Sequence, residues 1–204
     1  MHEEILTPEQ SELLPLLKMF SEEFYLAGGT AIALYLGHRR SIDFDLFTKK
    51  LHPMRVKNRI KKSYFNVDSI IFESSEELHL VVNSVKISFV EFPFDIPHPV
   101  PFKDIITLPS LLDLAAMKAY ALGSRAKWKD YVDFYFLLKY KFRVEEIIKR
   151  AKEIFSGYFN SKLFLEQLAY FEDIDYSENV DFIKEAPSDE EIKEFLREVS
   201  LQAF

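Results

Sequence analysis

Apolar positions along the chain recur with two periods, and the change from one to the other divides the sequence. Thr7-Pro8-Glu9-Gln10 reads as a capping box with proline at the first helical position. Leu13, Leu14, Leu17 and Phe20 follow at helical spacing and predict an amphipathic first helix. Residues 24–27 are a short apolar run that stops at Gly28-Gly29. Thr30 is placed to cap a helix running through Leu36, and Gly37 to end it. Residues 42–47 alternate, with Ile42, Phe44 and Leu46 on one side and Asp43 and Asp45 on the other. Residues 54–65 predict a helix with Val56, Ile60 and Phe65 buried. Period two then governs strands at 66–73, 78–82 and 85–92, the last two joined by a tight turn at Asn83-Ser84. Pro93, Pro97, Pro99, Pro101 and Pro109 rule out a helix over most of 93–109, which reads as a linker. Helices follow at 110–124, with Ser110 as cap and Leu111, Leu114, Ala115 and Ala119 inward, and then at 127–140, 144–155, 161–171 and 188–204. Ser188-Asp-Glu-Glu191 is a second capping box. The prediction is an α/β (α+β) chain: a mixed sheet flanked by helices over residues 1–95, then an α-helical half over 96–204 that closes a cleft. The two parts form a single compact unit.

Composition narrows this reading. Of 204 residues, 48% are hydrophobic and 15% aromatic, with 20 Phe, which is ample for a buried core. The chain has no cysteine, so disulfides and cysteine–zinc sites are excluded, and a cytoplasmic protein is expected. No stretch approaches the roughly 20 consecutive apolar residues of a membrane span, and the start lacks the pattern of a signal peptide. A net charge of −7 argues against general nucleic-acid binding. The charge is uneven, however. Arg39, Arg40, Lys49, Lys50, Arg55, Lys57, Arg59, Lys61 and Lys62 gather around and after the aspartate pair, while acids crowd the chain from Glu172 to Glu198. The basic zone is either a solvated face or a grip for a polyanion.

Asp43 and Asp45 carry the candidate chemistry. Two like charges on one side of an apolar strand repel, and a hard cation such as Mg²⁺ removes that cost by taking carboxylate and phosphate oxygens together. Gly28-Gly29-Thr30 supplies a complementary half. Glycine lets a backbone come close to a triphosphate, and free amides at a helix start favour an anion. A phosphate cradle followed by a metal-binding Asp-x-Asp suits phosphoryl or nucleotidyl transfer, where positioning and charge neutralisation dominate.

A second block spans residues 113–138. Lys118 sits mid-helix among Ala and Leu, where an ammonium is costly without a partner, and a triphosphate is one such partner. Arg125, seven residues on, shares its side of the helix. Asp130 and Asp133 share a face of the next helix.

Both blocks resemble one known family. Gly29-Thr30, then twelve residues, then Asp43-Phe-Asp45 is similar to the signature of the DNA-polymerase-beta-like nucleotidyltransferase superfamily. The fuller string Ala-Gly-Gly-Thr-Ala…Gly-His-Arg-Arg-Ser-Ile-Asp-Phe-Asp-Leu-Phe resembles its AbiEii/AbiGii toxin branch, as does Asp-Leu-Ala-Ala-Met-Lys followed by Arg and Lys-Asp-x-x-Asp. The resemblance implies a nucleotidyltransferase-type fold and a toxin-like enzyme moving NMP from an NTP to a hydroxyl of RNA (tRNA ends included) or protein. A cognate antitoxin is an implied partner. It also implies Asp43 and Asp45 as metal ligands; Gly28, Gly29, Thr30, Arg40, Ser41 and Lys118 as the nucleotide site; and Asp130 as the acidic partner of Lys118, with Asp133 second. The superfamily often has a third carboxylate on a later strand. Here Ser88 stands at that position, and Glu91 falls on the opposite face.

Other readings stay beside this one. Arg40 can reach a phosphate or neutralise the aspartate pair. Asp45, Asp130 or Asp133 can orient or deprotonate the acceptor. His38 and Asp113 read as structural, and His2, His52, His79 and His98 lack metal-ligand spacing. No Gly-x-Ser-x-Gly supports a serine hydrolase. The alternative to the enzyme is a non-catalytic nucleotide- or partner-binding module with the same fold; a kinase-like γ-phosphoryl transfer is a third reading.

Overall fold

The computed structural model describes residues 1–122, 126–184 and 186–203. Five strands, β1 (Tyr25–Ala27), β2 (Phe44–Thr48), β3 (Val67–Glu73), β4 (Glu77–Val82) and β5 (Val85–Glu91), form one sheet in the order β1-β2-β5-β4-β3. Only β2 and β5 pair in parallel, so the sheet is mixed, as the sequence predicts. The helices are α1 (Pro8–Glu12), α2 (Leu14–Met19), α3 (Gly28–Leu36), α4 (Pro53–Lys61), α5 (Leu111–Leu122), α6 (Trp128–Tyr140), α7 (Val144–Phe155), α8 (Ser161–Ala169) and α9 (Asp189–Gln202).

Alternation decides which side of the sheet each residue faces. Phe44, Leu46, Leu78, Leu80, Ile87 and Phe89 are fully buried on the core side. Asp45, His79, Lys86 and Ser88 alternate with them and line a cleft on the other side. Helix α3 packs on α5 and α6, which brings the helical half against the start of the sheet.

Four local expectations need correction. The first helix is two: the capping box at Thr7 and Gln10 forms, but the chain breaks at Leu13, two residues before Pro15. The proline-rich stretch 93–109 is more than a linker, since β6 (Val100–Phe102) and β7 (Ile106–Leu108) pair as a small hairpin against β1. Ile42 is 56% exposed, because strand geometry begins only at Phe44. At the last helix Ser188 caps as expected, but the Glu191 carboxylate reaches Tyr135 and Lys139 instead of closing a box. The turn at Asn83-Ser84 is as predicted, with both residues at positive φ.

The acidic tail also folds back instead of standing apart. Phe182 bridges to Arg39, Asp181 binds Arg40, and Glu178 takes both Lys127 and Lys129 at 2.5 Å. Hydrogen bonds from those two lysines hold the Glu178 carboxyl down to about 2.

Candidate active site

The cleft has a volume of about 890 Å³ and is bordered by Gly28, Asp45, Ser88 and Lys118, and by the rings of Phe92, Phe94, Tyr120 and Tyr158. Residues predicted from two distant blocks of sequence therefore meet at one place.

Gly28 begins helix α3 with φ +69, and a Cβ there would lie 2.0 Å from Asp45 Oδ2. The glycine is what lets the Asp45 carboxylate approach the helix start. Gly29 answers to a different neighbour: a Cβ on it would meet the Arg39 guanidinium at 2.8 Å. Thr30 is not the helix cap. Helix α3 starts at Gly28 behind Ala27, so Thr30 is the third helical residue. Its hydroxyl donates to the carbonyls of Ser41 and Asp43 and ties the helix to the entry of β2. Ser41 is buried, and its carbonyl also accepts from Gln10 Nε2 at 2.8 Å.

The acid pair sits with little compensating charge. Burial pushes the Asp43 carboxyl above its usual range; Lys86, 3.9 Å away, opposes this and Asp45 adds to it. Lys86, not Arg40, is the cation beside the pair. Arg40 turns away to Asp181 at 3.2 Å and to the Glu4 carbonyl. Among the described residues no group of three or more His, Cys, Asp or Glu is placed to hold a metal. The two carboxylates present an all-oxygen set that suits a hard cation completed by phosphate oxygens.

The second acid pair is the opposite case. Asp133 is fully buried and accepts from Arg39 Nε at 2.7 Å and Arg39 Nη2 at 2.9 Å, with His38 Nε2 2.7 Å from the same carboxylate. Lys118 Nζ lies 2.5 Å from Asp130 and 2.9 Å from Asp133. Burial pushes Asp133 up, but Arg39, Lys118 and the His38 hydrogen bond outweigh it and hold the carboxyl well below the usual range. Burial also lowers His38, against the pull of Asp133, which keeps the ring neutral. The buried cation that sequence reasoning left without a role is Arg39. No local pattern marked it, because its partner Asp133 lies 94 residues away. Arg125 lies outside the described residues.

Much of the wider basic zone is paired locally. Arg55 and Arg59 bind Glu23, Lys57 binds Glu73, and Lys49 binds Asp95. Asp113 serves its own helix start through Ser110 and holds Arg150 at 2.6 Å.

Comparison with known proteins decides the family, because the model of the AbiEii nucleotidyl transferase toxin of type IV toxin–antitoxin systems matches residues 17–203. The chain belongs to the AbiEii nucleotidyltransferase toxin family. It is a transferase of that class, as the two sequence blocks imply. It is 31% identical to the Aquifex aeolicus (strain VF5) protein aq_aa25 over 183 residues, 86% of this chain and 85% of that one. Two solved structures share the fold. The nucleotidyltransferase toxin MenT4 of Mycobacterium tuberculosis superposes with a TM-score of 0.65 at 15% identity, over 96% of this chain and 83% of its own. JHP933 of Helicobacter pylori superposes at 0.53 with 19% identity, over 97% and 92%. No helix among the described residues is long and apolar enough to cross a membrane.

Proposed function

We propose that this AbiEii-family enzyme moves a nucleoside monophosphate from an NTP to a hydroxyl group of RNA, tRNA ends included, or of a protein. The observation that carries this reading is the convergence of Gly28, Asp45 and Lys118 on one cleft. Asp43 and Asp45 would hold Mg²⁺, which when bound neutralises triphosphate charge. The amides at the start of α3, at Gly28 and Gly29, face the same charge from the protein side. Thr30 and Ser41 support that helix start rather than grip phosphate directly.

Lys118 supplies a fixed positive charge. An ammonium has three donors; Asp130 and Asp133 take two, and the third serves a phosphate oxygen. Asp130 and Asp133 thus orient the lysine, and Arg39 fixes Asp133. Arg40, paired with Asp181 and not lining the cleft, would reach a longer acceptor once that pair opens. The acceptor oxygen attacks the α-phosphorus, the bond from that phosphorus to the bridging oxygen breaks, and pyrophosphate leaves with the electron pair. Two aromatic rings of the cleft lining, Phe94 and Tyr158, offer faces to a nucleobase. A cognate antitoxin is the proposed protein partner.

Purified protein given each α-labelled NTP with bulk RNA or protein should transfer label and release pyrophosphate. The double substitution Asp43→Asn, Asp45→Asn should abolish transfer with the far-UV circular dichroism spectrum unchanged. Transfer at the wild-type rate by that variant rejects the assignment; nucleoside diphosphate in place of pyrophosphate would mean γ-phosphoryl transfer instead.

A further inference from the structure

Beside Asp45, on the strand where a third carboxylate was expected, the chain has built something else. The parallel pairing of β2 and β5 sets Asp45 level with Ser88, and the antiparallel pairing of β5 and β4 sets Ser88 level with His79. His79 Nδ1 is 2.9 Å from Ser88 Oγ, and His79 Nε2 is 2.8 Å from Glu77 Oε2. All three residues line the cleft. Ser88 is 2% exposed, so its hydroxyl is held in place by its surroundings.

The direction of the hydrogen bonds follows from the groups. An ionised carboxylate only accepts, so Nε2 carries the proton donated to Glu77. In the neutral ring Nδ1 is then the acceptor, and the Ser88 hydroxyl donates to it. The Ser88 oxygen keeps lone pairs that can accept, at a cleft-lining position level with Asp45. Ser-to-His-to-acid order is the arrangement that takes a proton from a hydroxyl and stabilises the imidazolium that results.

We propose that Ser88, His79 and Glu77 form the proton relay for the acceptor, in place of a third strand carboxylate; the inference rests on the nucleotidyltransfer reading above. The acceptor hydroxyl donates to Ser88 Oγ as Ser88 passes its own proton to His79 Nδ1. The acceptor oxygen bonds the α-phosphorus, pyrophosphate leaves with the electrons of the broken bond, and the proton rests on His79, paired with Glu77. The other charged groups bordering the cleft are Lys86 from β5, Asp45 from β2, Lys118 from α5 and Glu91 at the end of β5, whose carboxylate accepts from the Leu51 amide at 2.8 Å. On the β3 side its neighbour is the apolar ring of Phe72.

The test uses the full chain, Mg²⁺, α-labelled NTP and bulk RNA or protein as acceptor. His79→Ala and His79→Gln should lower kcat by about 10²–10³-fold, within the range typical of general-base removal. KM for the NTP should stay within about twofold, since the ring is not placed on the phosphates. Added imidazole should restore part of the His79→Ala rate, and the acid limb of the wild-type kcat profile should flatten in His79→Gln. Glu77→Gln should cost less than either, and Ser88→Ala should fall between them. His79→Gln at the wild-type kcat overturns the relay, as does a loss in His79→Ala that follows melting temperature and resists imidazole. Label recovered on Ser88 itself overturns the relay in favour of self-modification. No transfer by the wild-type chain with any NTP overturns the nucleotidyltransfer reading, and the relay with it.

Discussion

The molecule carries two pairs of aspartates, and they are treated in opposite ways. Asp130 and Asp133 on α6 are surrounded by Lys118, Arg39 and His38 at 2.5–2.9 Å. Asp43, next to Asp45 at the start of β2, meets Lys86 at 3.9 Å, and burial raises its carboxyl above the usual range. A saturated pair is structure: its charge is already answered, and its removal leaves buried cations alone. An unsaturated pair beside a helix start leaves like charges that a hard cation would neutralise, as the proposed function requires. Lys118 belongs to the first group by its contacts and to the second by its position, and so couples the two halves of the site.

The sharpest way to break this contrast is at Asp133. Asp133→Asn leaves the Arg39 guanidinium buried with half its partner charge gone. It should cost about 3–5 kcal/mol, read as a drop in urea midpoint at unchanged slope. The equivalent change at Asp45 should leave the midpoint nearly where it was. Equal losses at the two positions would erase the distinction.

Gly28→Ala comes next. It imposes a positive φ on a residue with a Cβ, a strain of about 1–2 kcal/mol, and drives that carbon into Asp45 Oδ2. Transfer activity should fall further than stability does, because the displaced group is the one proposed to hold the metal. The ratio of the two losses is the measurement.

Acid separates the pairs more gently. His38 is lowered in the fold, so the unfolded chain binds its proton more readily. Stability is therefore lost as pH falls below the ordinary histidine range, about 6.5. Asp133 is also lowered, so its contribution is complete above the ordinary aspartate range and is lost at still lower pH. Chemical denaturation from pH 8 to 4 should show the first decline, and His38→Gln should shift its onset downward.

The smallest effect is expected at Asp43. Its carboxyl is raised in the fold, so ionisation at neutral pH costs stability. Asp43→Asn should raise the melting temperature slightly without metal, and should abolish the further rise that Mg²⁺ with a non-hydrolysable NTP gives the wild type.

Much of this was legible in the residues. Alternation through Phe44 and Leu46 fixed which way Asp45 faces, and the positive-φ turn at Asn83-Ser84 was readable as a two-residue hairpin. That turn alone sets Val82 against Val85, and counting back places His79 against Ser88, so the relay was within reach of sequence reasoning. Metal-ligand spacing along the chain does not reveal it, since the pairing runs across strands. Thr30 shows a related limit: a threonine after two glycines looks like a cap, yet helix α3 has already begun at Gly28. The pairing of Arg39 with Asp133, and the return of the tail to Arg40 and Lys127, join residues far apart in sequence. No local pattern encodes such contacts.

The fit of residue 28 to residue 45 has a meaning for descent. While the carboxylate is needed, no side chain can be tolerated opposite it, so the two positions are bound to a common fate. A lineage that gave up catalysis would release both at once. Among relatives of this chain, a bulkier residue at the first position should accompany loss of the acid at the second.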